Sequence, residues 1–110
     1  MKQREIWLVD LNPVKGSEQK GIRPVVVISG DAMNKHLNIC IVCPLSSNIK
    51  KYAGCIVLNK NQHNGLEVDS EVVTFQIRTI SGERFLQKIG EITVSQLADI
   101  KIGLNEILTY

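Results

Sequence analysis

Five consecutive residues, Pro24-Val25-Val26-Val27-Ile28, constrain this chain more than any others. Four of the five are branched at Cβ, which stiffens the side chain and suits a pleated strand. The run is continuous, not alternating, so it predicts a central strand covered on both faces. Glu5–Asp10 and Asn38–Leu45 have the same buried character, and Gly54–Asn59 is a shorter strand of the kind. Glu71–Arg78 alternates, with Val73, Phe75 and Ile77 on one face and Thr74, Gln76 and Arg78 on the other. Arg84–Ile92 is a last strand, interrupted at Gly90. Turn signals separate these runs at Asn12-Pro13, Asn64-Gly65 (a strong hairpin pair) and Ser81-Gly82. Gly30–His36 is a connector with room for one helical turn capped by Asp31.

Only the C-terminus has helical spacing. Thr93-Val94-Ser95-Gln96 fits a capping box, in which the Thr93 hydroxyl and the Gln96 side chain satisfy free amides. Leu97, Ile100, Leu104, Ile107 and Leu108 then form one apolar stripe. The expected fold is mainly β: five to six short, mostly antiparallel strands rolled into a small β-barrel, with a C-terminal α-helix against it.

At 110 residues the chain predicts a single domain, 1–110, large enough to bury a core without staples. The formal charge of +2 gives little whole-molecule attraction to polyanions, so any such binding must come from a local basic patch. The apolar run after Lys2 and Arg4 is too short for a signal peptide, and no stretch is long enough to cross a membrane, which predicts a cytoplasmic protein. Cys40, Cys43 and Cys55 are an odd set that does not suggest a disulfide framework. With His63 they could be drawn as a zinc site. Cys40 and Cys43, however, lie three apart in a strand and so point to opposite faces, whereas zinc needs converging ligands. Buried reduced thiols and no metal are expected.

The connection between the first two strands runs through Gly16-Ser17-Glu18-Gln19-Lys20-Gly21-Ile22-Arg23-Pro24. About a dozen linking residues is long for a compact domain, and two glycines let the loop bend sharply. Charges on such a loop suit either plain solvation or the handling of a ligand. Arg23 precedes a proline, which pushes its backbone towards extended geometry and fixes a cation at the mouth of a rigid strand.

Taken in order and spacing, EIWLVDLNPVKGSEQKGIRPVVVIS, VCPLSS and FQIRTI resemble the MazF/PemK family of toxin endoribonucleases, over nearly the whole chain. The resemblance implies an SH3-like barrel, a homodimer, cleavage of single-stranded RNA at short sequences without metal or other cofactor, and a cognate antitoxin whose disordered tail blocks the RNA groove. Position by position, Arg23 matches the family's catalytic arginine and Ser46 stands where a catalytic threonine is usual. Glu18 and Gln19 match flap residues near the scissile phosphate, with Ser17 and Lys20 beside them. Gln76 and Arg78 match a QxRT segment bordering the groove. Phe75 departs from the pattern, because many members carry an acidic residue before that glutamine, and this bears on base preference.

The chemistry suits these residue types. RNA can be cut by its own 2′-hydroxyl if a base takes that proton, an acid protonates the departing 5′-oxygen and something stabilises the charge between. A guanidinium at Arg23 stays charged and its fork matches phosphate oxygens. Ser46 can donate to a non-bridging oxygen, and Glu18 can accept the 2′-proton. Lys15, Lys20, Lys50 and Lys51 would track the RNA backbone, Ser47 borders the same loop, and Tyr52 is the best placed of few aromatics to stack on a base. His36 and His63 lie outside the matched segments and are expected to be solvated. Two other readings fit a barrel of this kind: a CcdB-type toxin that binds DNA gyrase without catalysis, and a silent barrel that binds only an antitoxin peptide.

Overall fold

The computed structural model describes residues 1–12, Gly16 and 21–110. Strand β1 (Glu5–Asp10) pairs antiparallel with β2 (Ile22–Val27), from Ile6 opposite Val26 to Asp10 opposite Ile22. Strand β2 pairs in turn with β3 (Ile39–Ser46), Val25 facing Pro44 and Val27 facing Val42. Strands β4 (Ile56–Leu58) and β5 (Ser70–Val72) extend the sheet beyond β3, and β7 (Phe85–Glu91) closes onto β1. The order is β4-β5-β3-β2-β1-β7, with β6 (Arg78–Ser81) also on β3. Among the described residues every strand pairing is antiparallel. This is the expected β fold with a terminal helix, although the strand path has free ends at β4 and β7 and the barrel is not closed.

The β-branched run explains the core. Val26 lies with Ile6, Cys43, Leu45 and Leu58 in one cluster, while Val25 and Val27 lie with Val9, Leu11, Cys40 and Val42 in another. Strand β2 is therefore packed on both faces, as its unbroken apolar sequence demands. The same division sends Cys40 and Cys43 to opposite faces. Burial, with Cys55 nearby, pushes the Cys43 thiol up to about 12, so it is a neutral apolar group at physiological pH.

Helix α2 (Val94–Thr109) covers the first cluster with Leu97 and Ile100. Its capping box is present: Gln96 N–H donates to Thr93 Oγ1 at 3.0 Å, and Thr93 N–H to Gln96 Oε1 at 2.9 Å. The predicted stripe is too long by one residue, since Leu108 is 83% exposed. Ile107 takes the last inward position, and its neighbour is turned about 100° away. Helix α1 (Asp31–Leu37) is longer than one turn and is not capped by Asp31. Gly30 is the N-cap, and the Asp31 carboxylate instead accepts Gln3 N–H at 2.7 Å.

The expected single strand over Glu71–Arg78 is wrong in an informative way. Val72 faces Leu45 and Arg78 faces Val42, so six steps along one strand match only three along β3. The three surplus residues fold out as a 3-10 turn, Thr74–Gln76, which splits the run into β5 and β6 and raises the strand total among the described residues to seven. Thr74 is held inside by its hydroxyl, which donates to the Gly54 carbonyl at 2.9 Å. Phe75 and Ile77 are left at the surface. Asn64-Gly65 is likewise no two-residue hairpin, because residues 59–69 separate β4 from β5. The buried Asn64 side chain instead accepts from Asn61 and Leu66 amides and donates to the Asn59 carbonyl, an internal scaffold for that loop. Gly90 lets this loop approach β7: a Cβ there would meet the Asn64 carbonyl carbon at 2.3 Å. The predicted interruption is a bulge, Ile6 facing Gly90 and Trp7 facing Lys88. Among the described residues, no helix is long and apolar enough to cross a membrane.

Two stability predictions follow from this packing. A Cβ on Gly103 of α2 would lie 2.0 Å from the Gly54 carbonyl oxygen. Gly103→Ala should destabilise by about 1–3 kcal/mol in denaturant titrations. Gly30→Ala, with nothing within 4 Å, should stay within about 1 kcal/mol of the parent. The second concerns Glu5, buried at the edge of β1. Burial alone would raise its pKa, but the Lys2 N–H at 2.7 Å, Lys88 Nζ at 2.9 Å and Trp7 Nε1–H at 3.0 Å together lower it from 4.5 to about 2. A carboxylate depressed by folding stabilises above its ordinary pKa and loses that contribution as pH falls to the folded value. Glu5→Gln should therefore destabilise at neutral pH, and its difference from the parent should shrink between pH 4.5 and about 2.

Candidate functional site

Arg23 is the second residue of β2 and Ser46 the last of β3. The register that sets Val25 against Pro44, continued outward by two residues, brings Arg23 and Ser46 to the same end of neighbouring strands. Arg23 is exposed and Ser46 half-buried, so neither is sealed among apolar side chains. The Ser46 hydroxyl oxygen accepts the Asn48 N–H at 3.2 Å. A hydroxyl that accepts from the chain keeps its own proton for an outside acceptor.

Two hollows flank this end of the sheet, with Ser46-Ser47 as the ridge between them. One, of 320 Å³, is lined by Arg23, Pro24, Leu45, Ser47 and Val68 among others. The other, of 260 Å³, is lined by Ser46, Lys50, Tyr52, Glu71, Phe75 and Gln76 among others. Six of the expected site residues thus meet around one ridge: Arg23, Ser46, Ser47, Lys50, Tyr52 and Gln76. Arg78 is not among them. It pairs with Val42 inside the sheet, half-buried, two residues past Gln76. Ser17, Glu18, Gln19 and Lys20, with Lys15, lie outside the described residues.

Tyr52 is 52% exposed, and its ring meets that of Phe75 edge-on, with centroids 5.4 Å apart and planes at 84°. Phe75 is itself 49% exposed, because the 3-10 turn that absorbs the surplus residues swings it away from the core. The pair makes an aromatic edge at the mouth of the second hollow, as flat apolar groups that every nucleobase can contact. Trp7 and Phe85 form a similar edge-on pair, at 5.7 Å, packed against the second core cluster.

Sequence reasoning missed Glu71. Its side chain is 1% exposed, yet it lines the second hollow. One carboxylate oxygen accepts Lys50 N–H at 3.0 Å and the other Tyr52 N–H at 3.1 Å. The available signal was an acidic residue directly followed by two valines, in a run otherwise taken for a half-buried strand. A carboxylate at such a position needs donors, and here backbone amides supply them. Among the described residues, no group of three or more His, Cys, Asp or Glu side chains is arranged to hold a metal ion.

Comparison with known proteins adds to this geometry. Residues 2–108 match a family described as PemK-like, MazF-like toxin of type II toxin-antitoxin system. A relative from Mycobacterium tuberculosis, named endoribonuclease MazF9, is 39% identical over 109 residues, covering 94% of this chain and 92% of its own. The crystal structure of MazF (Form-I) from Deinococcus radiodurans superposes with a TM-score of 0.85 at 23% identity, covering 100% of this chain and 97% of that one. An endoribonuclease from a mycobacterial species, solved in complex with its cognate antitoxin, gives a TM-score of 0.79 at 17% identity, covering 98% and 94%. The last two likenesses speak to the fold.

Proposed function

The chain belongs to the PemK-like, MazF-like toxin family of type II toxin–antitoxin systems and is an endoribonuclease of that family; we propose that it cuts single-stranded RNA at the Arg23–Ser46 end of β2 and β3, without metal. The observation that carries this reading is the placement of an exposed guanidinium and an oriented hydroxyl at the same end of two neighbouring, hydrogen-bonded strands. Rigid strands hold catalytic groups to a fixed separation better than loops do, and most of the gain from such groups is preorganised electrostatics.

In the proposed reaction the RNA 2′-oxygen attacks the adjacent phosphorus and gives its proton to a base, for which Glu18 is our candidate. Negative charge grows on the two non-bridging oxygens. Arg23 meets that charge with a planar, permanently protonated fork, and Ser46 donates one hydrogen bond to it. The P–O5′ bond then breaks, the 5′-oxygen takes a proton, and a 2′,3′-cyclic phosphate is left. Tyr52 and Gln76 would hold the neighbouring base, and Lys50 the backbone, with Ser17, Gln19, Lys20, Ser47 and Arg78 as further RNA contacts.

We further propose that the protein acts in the cytoplasm as a homodimer, and that a cognate antitoxin segment silences it by lying over the same ridge. A fold neighbour solved with its own antitoxin supports such a partner. The gyrase-binding and antitoxin-only alternatives give way, because the relative at 39% identity is named an endoribonuclease.

Purified protein should cut a labelled single-stranded RNA in the presence of chelator. Arg23→Ala should lower the rate by about a hundredfold or more, and undiminished cleavage by that variant would reject the site. Tyr52→Ala should weaken binding of an uncleavable 2′-deoxy analogue by about tenfold, as read by fluorescence anisotropy.

A further inference from the structure

Among the described residues, Glu71 is the most deeply buried carboxylate that the proposed chemistry leaves unused, and three observations give it a task. It is the cross-strand partner of Ser46 in the β3–β5 pairing. Its two oxygens take the amides of Lys50 and Tyr52. Between those amides stands Lys51, a non-glycine residue in the left-handed region at φ 57°. Two N–H groups on either side of a left-handed residue converge on one point and form an anion-binding nest. Here the anion belongs to the protein. Left-handed backbone at a lysine is unfavourable on its own and persists where surrounding contacts over-determine it.

We propose that Glu71 is a positioning residue for RNA cleavage: its carboxylate fills the Lys50–Tyr52 nest and so fixes the segment 47–53, which carries Asn48, the donor to the Ser46 hydroxyl, and Tyr52. This rests on the nuclease reading above. Glu71 does not act as the base, because both of its oxygens are occupied and it is shielded from solvent. The route runs from carboxylate to nest, from nest to segment, and from the Asn48 N–H to the Oγ that faces phosphate. A glutamine is nearly the same shape but offers one acceptor oxygen, and its NH2 would confront the second amide donor to donor.

The test has three arms. In the parent protein, amide hydrogen exchange should show Lys50 and Tyr52 protected although both residues are exposed at the surface. Exchange there at unprotected rates would overturn the proposal without any variant. In Glu71→Gln those two amides should exchange faster, and kcat on a single-stranded RNA should fall by between about tenfold and a hundredfold, with KM nearly unchanged. The pH–rate profile should keep its shape. Cleavage at the parent rate, or loss of one limb of the profile (which would make Glu71 the base), would overturn the positioning role. A parent protein inactive on RNA rejects the nuclease reading and this role with it, whereas an active parent with an equally active variant rejects the role alone.

Discussion

The site depends on a mismatch along one edge of β3. The eight residues of that strand are served on the same side by a chain that has three residues too many between its two pairings. A ladder cannot stretch to absorb them, since successive pairs must stay at strand spacing. The surplus leaves the sheet as the 3-10 turn Thr74–Gln76, pinned from inside by the Thr74 hydroxyl on the Gly54 carbonyl. That carbonyl is the one pressed against Gly103 of α2. The helix, the loop after β3 and the turn are therefore tied at one point, and the second hollow opens between the loop and the turn. Its walls are consequences of register before they are consequences of any functional residue.

The two buried carboxylates among the described residues, Glu5 and Glu71, show two ways of holding an acidic side chain inside a small protein. Glu5 meets an ammonium group, an indole N–H and an amide, and joins the N-terminus to β1 and β7. Its charge is part of the stability of the sheet, and acid removes it. Glu71 meets two amides of one short segment. Those bonds carry little long-range information about the fold, but they fix a backbone shape that Lys51 would not adopt unaided. The first device holds strands together. The second shapes a surface, and it stands beside the hydroxyl at the end of β3.

What the sequence made legible was whatever has a local physical cause. The valine run could only be a strand packed on both sides, and the Thr93–Gln96 cap and the separation of Cys40 from Cys43 follow from periodicity alone. Arg23 and Ser46 were singled out as candidates through the motif they sit in, and the sheet brings them to one end. The failures share a different cause. Glu71–Arg78 alternates from Val73 onward, yet its conformation is set by a strand more than twenty residues away in sequence, and no local pattern encodes a register surplus. Asn64-Gly65 has the residues of a tight turn, but Asn64 spends its side chain inside a longer loop that must reach Gly90.

Phe75 brings these strands of reasoning together. On alternation it shared a face with Val73 and Ile77; on family likeness it occupied a place often held by an acid. The register surplus settles its position: it stands on the outside of the 3-10 turn, half exposed, with its edge against Tyr52. An acidic side chain there would share the hollow with the Glu71 carboxylate and add like charge to it. A phenyl ring removes that repulsion and gives the nest-held Tyr52 a partner that limits its rotation. The hollow then presents two ring edges with the Gln76 side chain beside them, the lining that the proposed RNA contact would use.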